Sequence, residues 1–87
     1  MVTKFRLMRI HCHVPLTEVA AAAGISPQRL YQCETRYDDT MPRDPEKFIR
    51  ALESVIAQRK RQIEEVEAIC KHERDGIFDY VKGGTEL

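Results

Sequence analysis

The sequence predicts an all-α protein, with a head of three short helices followed by one long C-terminal helix paired in a dimer. Three observations carry that reading. Alanine, glutamate, arginine and leucine-type residues are plentiful. The glycines and prolines are few and mark points between segments instead of forming runs. Within those segments apolar residues return at helical spacing. At 87 residues the chain has room for one domain with a small core and none for a deep catalytic cleft. An extended helix is stable in such a chain only if something else covers it, and a second copy is the economical cover.

Thr3 to Cys12 reads as the first helix. Phe5, Met8 and Cys12 fall at i, i+3 and i+7 and are expected to face inward, with Arg6 and Arg9 between them. Val14 and Pro15 interrupt that helix, and Pro15 suits the first turn of the next. The second helix spans Leu16 to Ala23 and stops at Gly24, which can adopt the left-handed conformation of a tight turn. Ser26 is a fitting N-cap and Pro27 the first residue of a third helix that runs to about Arg36. Leu30 and Cys33 are expected inside, and Gln28, Arg29, Gln32 and Arg36 outside. Tyr37 to Arg43 is a polar loop. Asp44 caps the fourth helix and Pro45 opens it. No breaker follows until Gly76, giving about 30 residues or ~45 Å of helix. Ile77, Phe78, Tyr80 and Val81 then form a short apolar group before a frayed Gly-Gly tail. The expected organisation is a head over 1–37, a loop over 38–44, and the dimerisation helix with its tail over 45–87.

Lysines and arginines number 14, as do aspartates and glutamates, so the net charge is zero, but the charges are unevenly spread. Up to Arg36, Lys4, Arg6, Arg9, Arg29 and Arg36 stand against Glu18 and Glu34 alone. From Asp38 onward acids outnumber bases by the same margin. A basic head and an acidic remainder fit DNA contact at one end and protein contact at the other. Lys4, Arg6 and Arg9 interrupt any signal-peptide core, and no apolar run approaches a bilayer span, so a cytoplasmic protein with no membrane partner is expected. Cys12, Cys33 and Cys70 are odd in number and widely spaced, which is not a disulfide framework. Cys12 and Cys33 are expected as small core residues. His11, Cys12 and His13 are adjacent, so their side chains diverge on a helix and cannot converge on one ion. No metal, cofactor or small-molecule ligand is expected. No Ser–His–acid set or Gly-rich loop points to catalysis, so no enzymatic activity is expected.

The segment VPLTEVAAAAGISPQRLYQCE, Val14 to Glu34, carries the functional signal. Small Ala20 permits close helix approach, Gly24 makes the turn, and Ile25 and Leu30 fill the space between the helices. That spacing is the helix-turn-helix pattern, in which the second helix enters a DNA major groove. Gln28 and Gln32 lie four apart on one face, and glutamine can pair bidentately with adenine.

The run KFRLMRIHCHVPLTEVAAAAGISPQRLYQCE, Lys4 to Glu34, resembles the phage-repressor-like helix-turn-helix family, the lambda repressor/Cro or XRE type, and the resemblance extends to Arg36. The resemblance implies a sequence-specific DNA-binding protein, a transcriptional regulator of a phage or mobile element. It implies base reading at Pro27, Gln28 and Gln32, with Arg29 on a guanine or a phosphate. Lys4, Arg6, Ser26 and Arg36 are then expected on the phosphate backbone. It also implies a buried ion pair between Arg9 and Glu34. The chain departs from the family at Leu16, where a phosphate-binding polar residue is usual, and at Pro27, which removes one reader. One long helix also replaces the family's two closing helices. TEVAAAAGISPQRLYQCE is similar as well to the opening of mercury-resistance-regulator (MerR) type proteins. The chain has a helix before the motif that they lack, and it lacks their winged loop, so that resemblance ranks second.

In the long helix Ile49, Ile56, Ile63 and Cys70 recur every seven residues, and Leu52, Arg59, Val66 and Glu73 hold the second seam position. Phe48, Val55 and Ile69 widen the stripe. The expected dimer seam is Ile49, Leu52, Ile56, Ile63, Val66 and Cys70, in a homodimer of either orientation. The expected partners are double-stranded DNA and a second copy. The alternative is a protein-interaction module, antitoxin-like or a scaffold, with a degenerate helix-turn-helix. Leu16, Pro27 and the neutral total charge favour that alternative.

Overall fold

A computed structural model of the chain describes residues 2–80. The expected Val81 and Gly-Gly tail lie outside the described residues. Among the described residues all regular structure is helical: α1 Lys4–His11, α2 Leu16–Ala23, α3 Pro27–Thr35 and α4 Pro45–His72, with 3-10 turns at Tyr37–Asp39 and Arg74–Gly76. None of these helices is long and apolar enough to cross a membrane. The molecule measures 54 × 23 × 20 Å, because α4 extends well past the other three helices.

Local chemistry sets the helix ends. The Thr3 hydroxyl accepts from the Arg6 amide at 3.2 Å, so Thr3 is the N-cap of α1 and not part of it. At the other end His13 takes φ 57. Its amide donates to the Ile10 carbonyl at 2.9 Å, and the Val14 amide to the Arg9 carbonyl at 3.2 Å. This pair of bonds is a Schellman stop, with histidine at the left-handed position that usually holds glycine. The same motif ends α2. Gly24 has φ 71, its amide bonds Ala21, and the Ile25 amide bonds Ala20 at 3.0 Å. A Cβ on Gly24 would meet nothing within 4 Å, so its backbone angle and not crowding calls for glycine. Ser26 caps α3 through the Arg29 amide at 3.1 Å. Arg36, left-handed at φ 53, closes α3 at Thr35, one residue short of the expected end. Asp44 precedes α4 but its carboxylate makes no capping bond.

The core contains Val14 from the α1–α2 connection, Val19, Ala20 and Ala23 of α2, and Leu30 and Cys33 of α3. Phe48, Ala51, Leu52 and Val55 of α4 join it, and Phe5, Leu16, Ile25 and Ile56 pack around it. The most extensive helix–helix packing is between α2 and α4. Two expectations change here. Leu52, expected in the dimer seam, is 5% exposed inside the head, because α2 lies against the first three turns of α4. The head therefore takes in part of the long helix, and the 38–44 loop does not divide the packing. On α1, Met8 and Cys12 are exposed. Arg9 occupies the inward position instead, one turn from Phe5.

Candidate nucleic-acid interface

The outer surface of α3 starts at a well-formed N-terminus. Ser26 satisfies one of the first amides, and Pro27 has none to satisfy. The positive end of the helix dipole therefore emerges beside Gln28 and Arg29. Gln28 and Arg29 are exposed and Gln32 is half-buried. Tyr31, 47% exposed, lies one turn from Gln28 at i+3, on the side of α3 away from Gln32. The Arg6 guanidinium from α1 sits 5.5 Å from the centre of the Tyr31 ring.

The charges behind this face are arranged around one carboxylate. Glu34 is 1% exposed. Arg9 Nε donates to Glu34 Oε2 at 2.7 Å and Arg9 Nη2 to Glu34 Oε1 at 2.9 Å. Arg6 Nη1 reaches the same Oε1 at 3.3 Å. Arg9 Nη1 donates to the Val14 carbonyl at 2.8 Å, so one guanidinium ties α1 to α3 and to the entry of α2. The other acid of residues 1–36, Glu18, is bound by Arg59 of α4. Neither carboxylate of this segment is left free to repel an anion at α3, while Lys4 and Arg29 lie exposed on its exterior.

Two expected phosphate contacts are placed differently. Arg6 has only 26% of its side chain exposed and points at Glu34 and Tyr31, because a buried carboxylate attracts it more strongly than solvent does. Arg36 is the left-handed cap and not the next turn of α3, so it leaves the Gln28–Gln32 line. Its guanidinium approaches Asp39 at 3.7 Å. It also borders an apolar groove beside Phe5, Met41, Pro42 and Ile49. Among the expected seam residues Ile49 is 42% exposed at that groove, Ile56 packs against the head, and Ile63, Val66 and Cys70 are exposed. Cys33 is buried. Among the described residues no three His, Cys, Asp or Glu side chains converge as a metal site would require.

Sequence reading passed over Tyr31 and the Glu18–Arg59 pair. Helical spacing from Gln28 could have found Tyr31. Nothing in the sequence joins Glu18 to Arg59, because 41 residues separate them. No family model, curated protein or solved structure matches the chain.

Proposed function

We propose that the protein binds double-stranded DNA with sequence preference through α3, as a helix-turn-helix transcriptional regulator working as a dimer. The observation that carries this reading is the acid-free outer face of α3, where Gln28 and Gln32 lie one turn apart next to exposed Arg29. Glutamines one turn apart suit adenine edges in the major groove, and exposed Arg29 and Lys4 suit flanking phosphates. Ser26 keeps its hydroxyl proton while its oxygen caps the helix, so it can still donate to a phosphate oxygen. The Arg9–Glu34 pair contributes geometry, because it fixes α1 against α3 from behind. A dimer supplies two such heads for a two-fold site.

Fluorescence anisotropy of a labelled duplex titrated with the protein tests the reading. Micromolar binding to random sequence that weakens steeply with salt is expected, followed by recovery of a preferred site on selection. Absence of binding at low salt would remove the proposal. A second reading then takes its place, the protein-interaction module. The inward turn of Arg6 and the displacement of Arg36 favour it, since both subtract from the charge offered to a backbone.

A further inference from the structure

Beyond the head, α4 projects without intramolecular support. Every residue from Arg61 to His72 is exposed, including Ile63, Val66 and Ile69 at 64, 59 and 50%. Where this half leaves the head, Cys12 and Val14 on one side and Ile56, Ile63 and Val66 on the other line an open groove of about 480 Å³. The charges along the projecting half are segregated. Arg59, Lys60 and Arg61 come first, then Glu64, Glu65 and Glu67, with Lys71 beyond, and of these Lys60 and Glu67 are the two that border the stripe on one side.

That segregation chooses among occupants. We infer that the stripe pairs with the same stripe of a second copy in antiparallel register, about a two-fold axis between Glu64 and Glu65. Ile63 then packs on the partner's Val66, and each contact occurs twice. Cys70 shares a layer with the partner's Arg59. The Arg59 stem fits there because its guanidinium is already held at Glu18. On the flank, Lys60 meets the partner's Glu67, an opposite-charge pair formed on both sides of the axis. A parallel pair has neither advantage. It sets Arg59 against the partner's Arg59 and places Lys60 beside the partner's Val55, with no opposite charges joined.

The antiparallel register also lets the distal end of each helix lie along the groove beside the other head. The part of α4 buried in the head centres near Leu52, so the two heads stand about 40 Å apart along the helix axis. Resting on the DNA-binding reading above, that separation is close to the one-turn spacing of half-sites, ~34–36 Å. The dimer itself does not depend on that reading.

Light scattering and disulfide trapping on the full chain test the inference. A mass twice that of the chain is expected at tens of micromolar. Mild oxidation of an Arg59→Cys variant should link position 59 to the partner's Cys70, located by peptide mapping. In the parent chain the two Cys70 thiols lie about 16 Å apart along the axis and stay unlinked. Lys60→Glu should raise the dimer dissociation constant roughly tenfold, and adding Glu67→Lys should restore it. A monomer, a Cys70–Cys70 link in the parent chain, or no rescue by the double variant would each overturn the register. Loss of DNA binding in a chain that still forms this dimer would overturn the reading of α3 and leave this one standing.

Discussion

Arg9 and Glu34 are 25 residues apart in sequence and meet through two parallel hydrogen bonds of 2.7 and 2.9 Å, with Glu34 almost wholly buried. Their pairing turns a helix with one strong apolar anchor, Phe5, into a fixed part of the head. The Glu34 backbone takes part too, since its carbonyl accepts from the Thr3 amide at 3.1 Å.

Removing one partner leaves the other charge buried. Glu34→Ala is expected to cost about 3–5 kcal/mol in urea unfolding, whereas Arg9→Met with Glu34→Leu should recover most of the loss. A cost of Glu34→Ala under about 1 kcal/mol would mean that water reaches Arg9 readily and that the pair is not a structural clamp.

The two Schellman stops offer an internal comparison. His13 holds φ 57 with a side chain that adds steric strain, and Gly24 holds φ 71 without one. His13→Gly should stabilise the head by about 0.5–1 kcal/mol, net of the added freedom of the unfolded chain. Gly24→Ala should destabilise it by about 1 kcal/mol, although its new methyl group would touch nothing. Thermal melts of both variants check the pair of signs. If Gly24→Ala were neutral, the turn would be relaxing to another geometry.

How much of the fold and the site is legible in the sequence follows from the kind of signal each feature leaves. Ser26–Pro27 and Gly24 fix helix ends through local chemistry, so those ends are legible. The end of α1 is legible as a break before Pro15, but nothing in the sequence marks His13 as the left-handed residue that makes it. Periodicity finds the apolar face of α1 only at Phe5. It cannot show that Arg9, with Glu34 as a distant partner, displaces Met8 and Cys12 from the interior. The heptads of α4 mark an apolar stripe, but a stripe does not state its cover. Leu52 is buried where α2 packs on α4, while Ile63 stays 64% exposed across an open groove from Cys12 and Val14.

On α3 the neutral and charged residues should separate in their effects on DNA. Gln28→Ala with Gln32→Ala is expected to weaken binding to a selected site by about 1–3 kcal/mol and leave random-sequence binding nearly unchanged. Arg29→Ala or Lys4→Ala should weaken all sequences alike, and each should reduce the magnitude of the salt slope by about 1, the share of a single phosphate. Anisotropy titrations across several salt concentrations distinguish the two patterns. Equal weakening on all sequences from the glutamine changes would mean that α3 does not read bases.

The two halves of α4 should answer to different measurements. Leu52 is 5% exposed among the core residues, so Leu52→Ala should open a cavity and cost the head about 2–5 kcal/mol. Ile63 is 64% exposed, so Ile63→Ala should change unfolding by less than about 0.5 kcal/mol at protein concentrations where the chain is monomeric. Its effect should appear in sedimentation, as weaker self-association, because each dimer loses the side chain twice. Unfolding and sedimentation on both variants therefore assign each half its partner. A large loss of monomer stability from Ile63→Ala would mean that the distal half folds back on the head. No change in either measurement would mean that its exposed stripe has no partner in this chain.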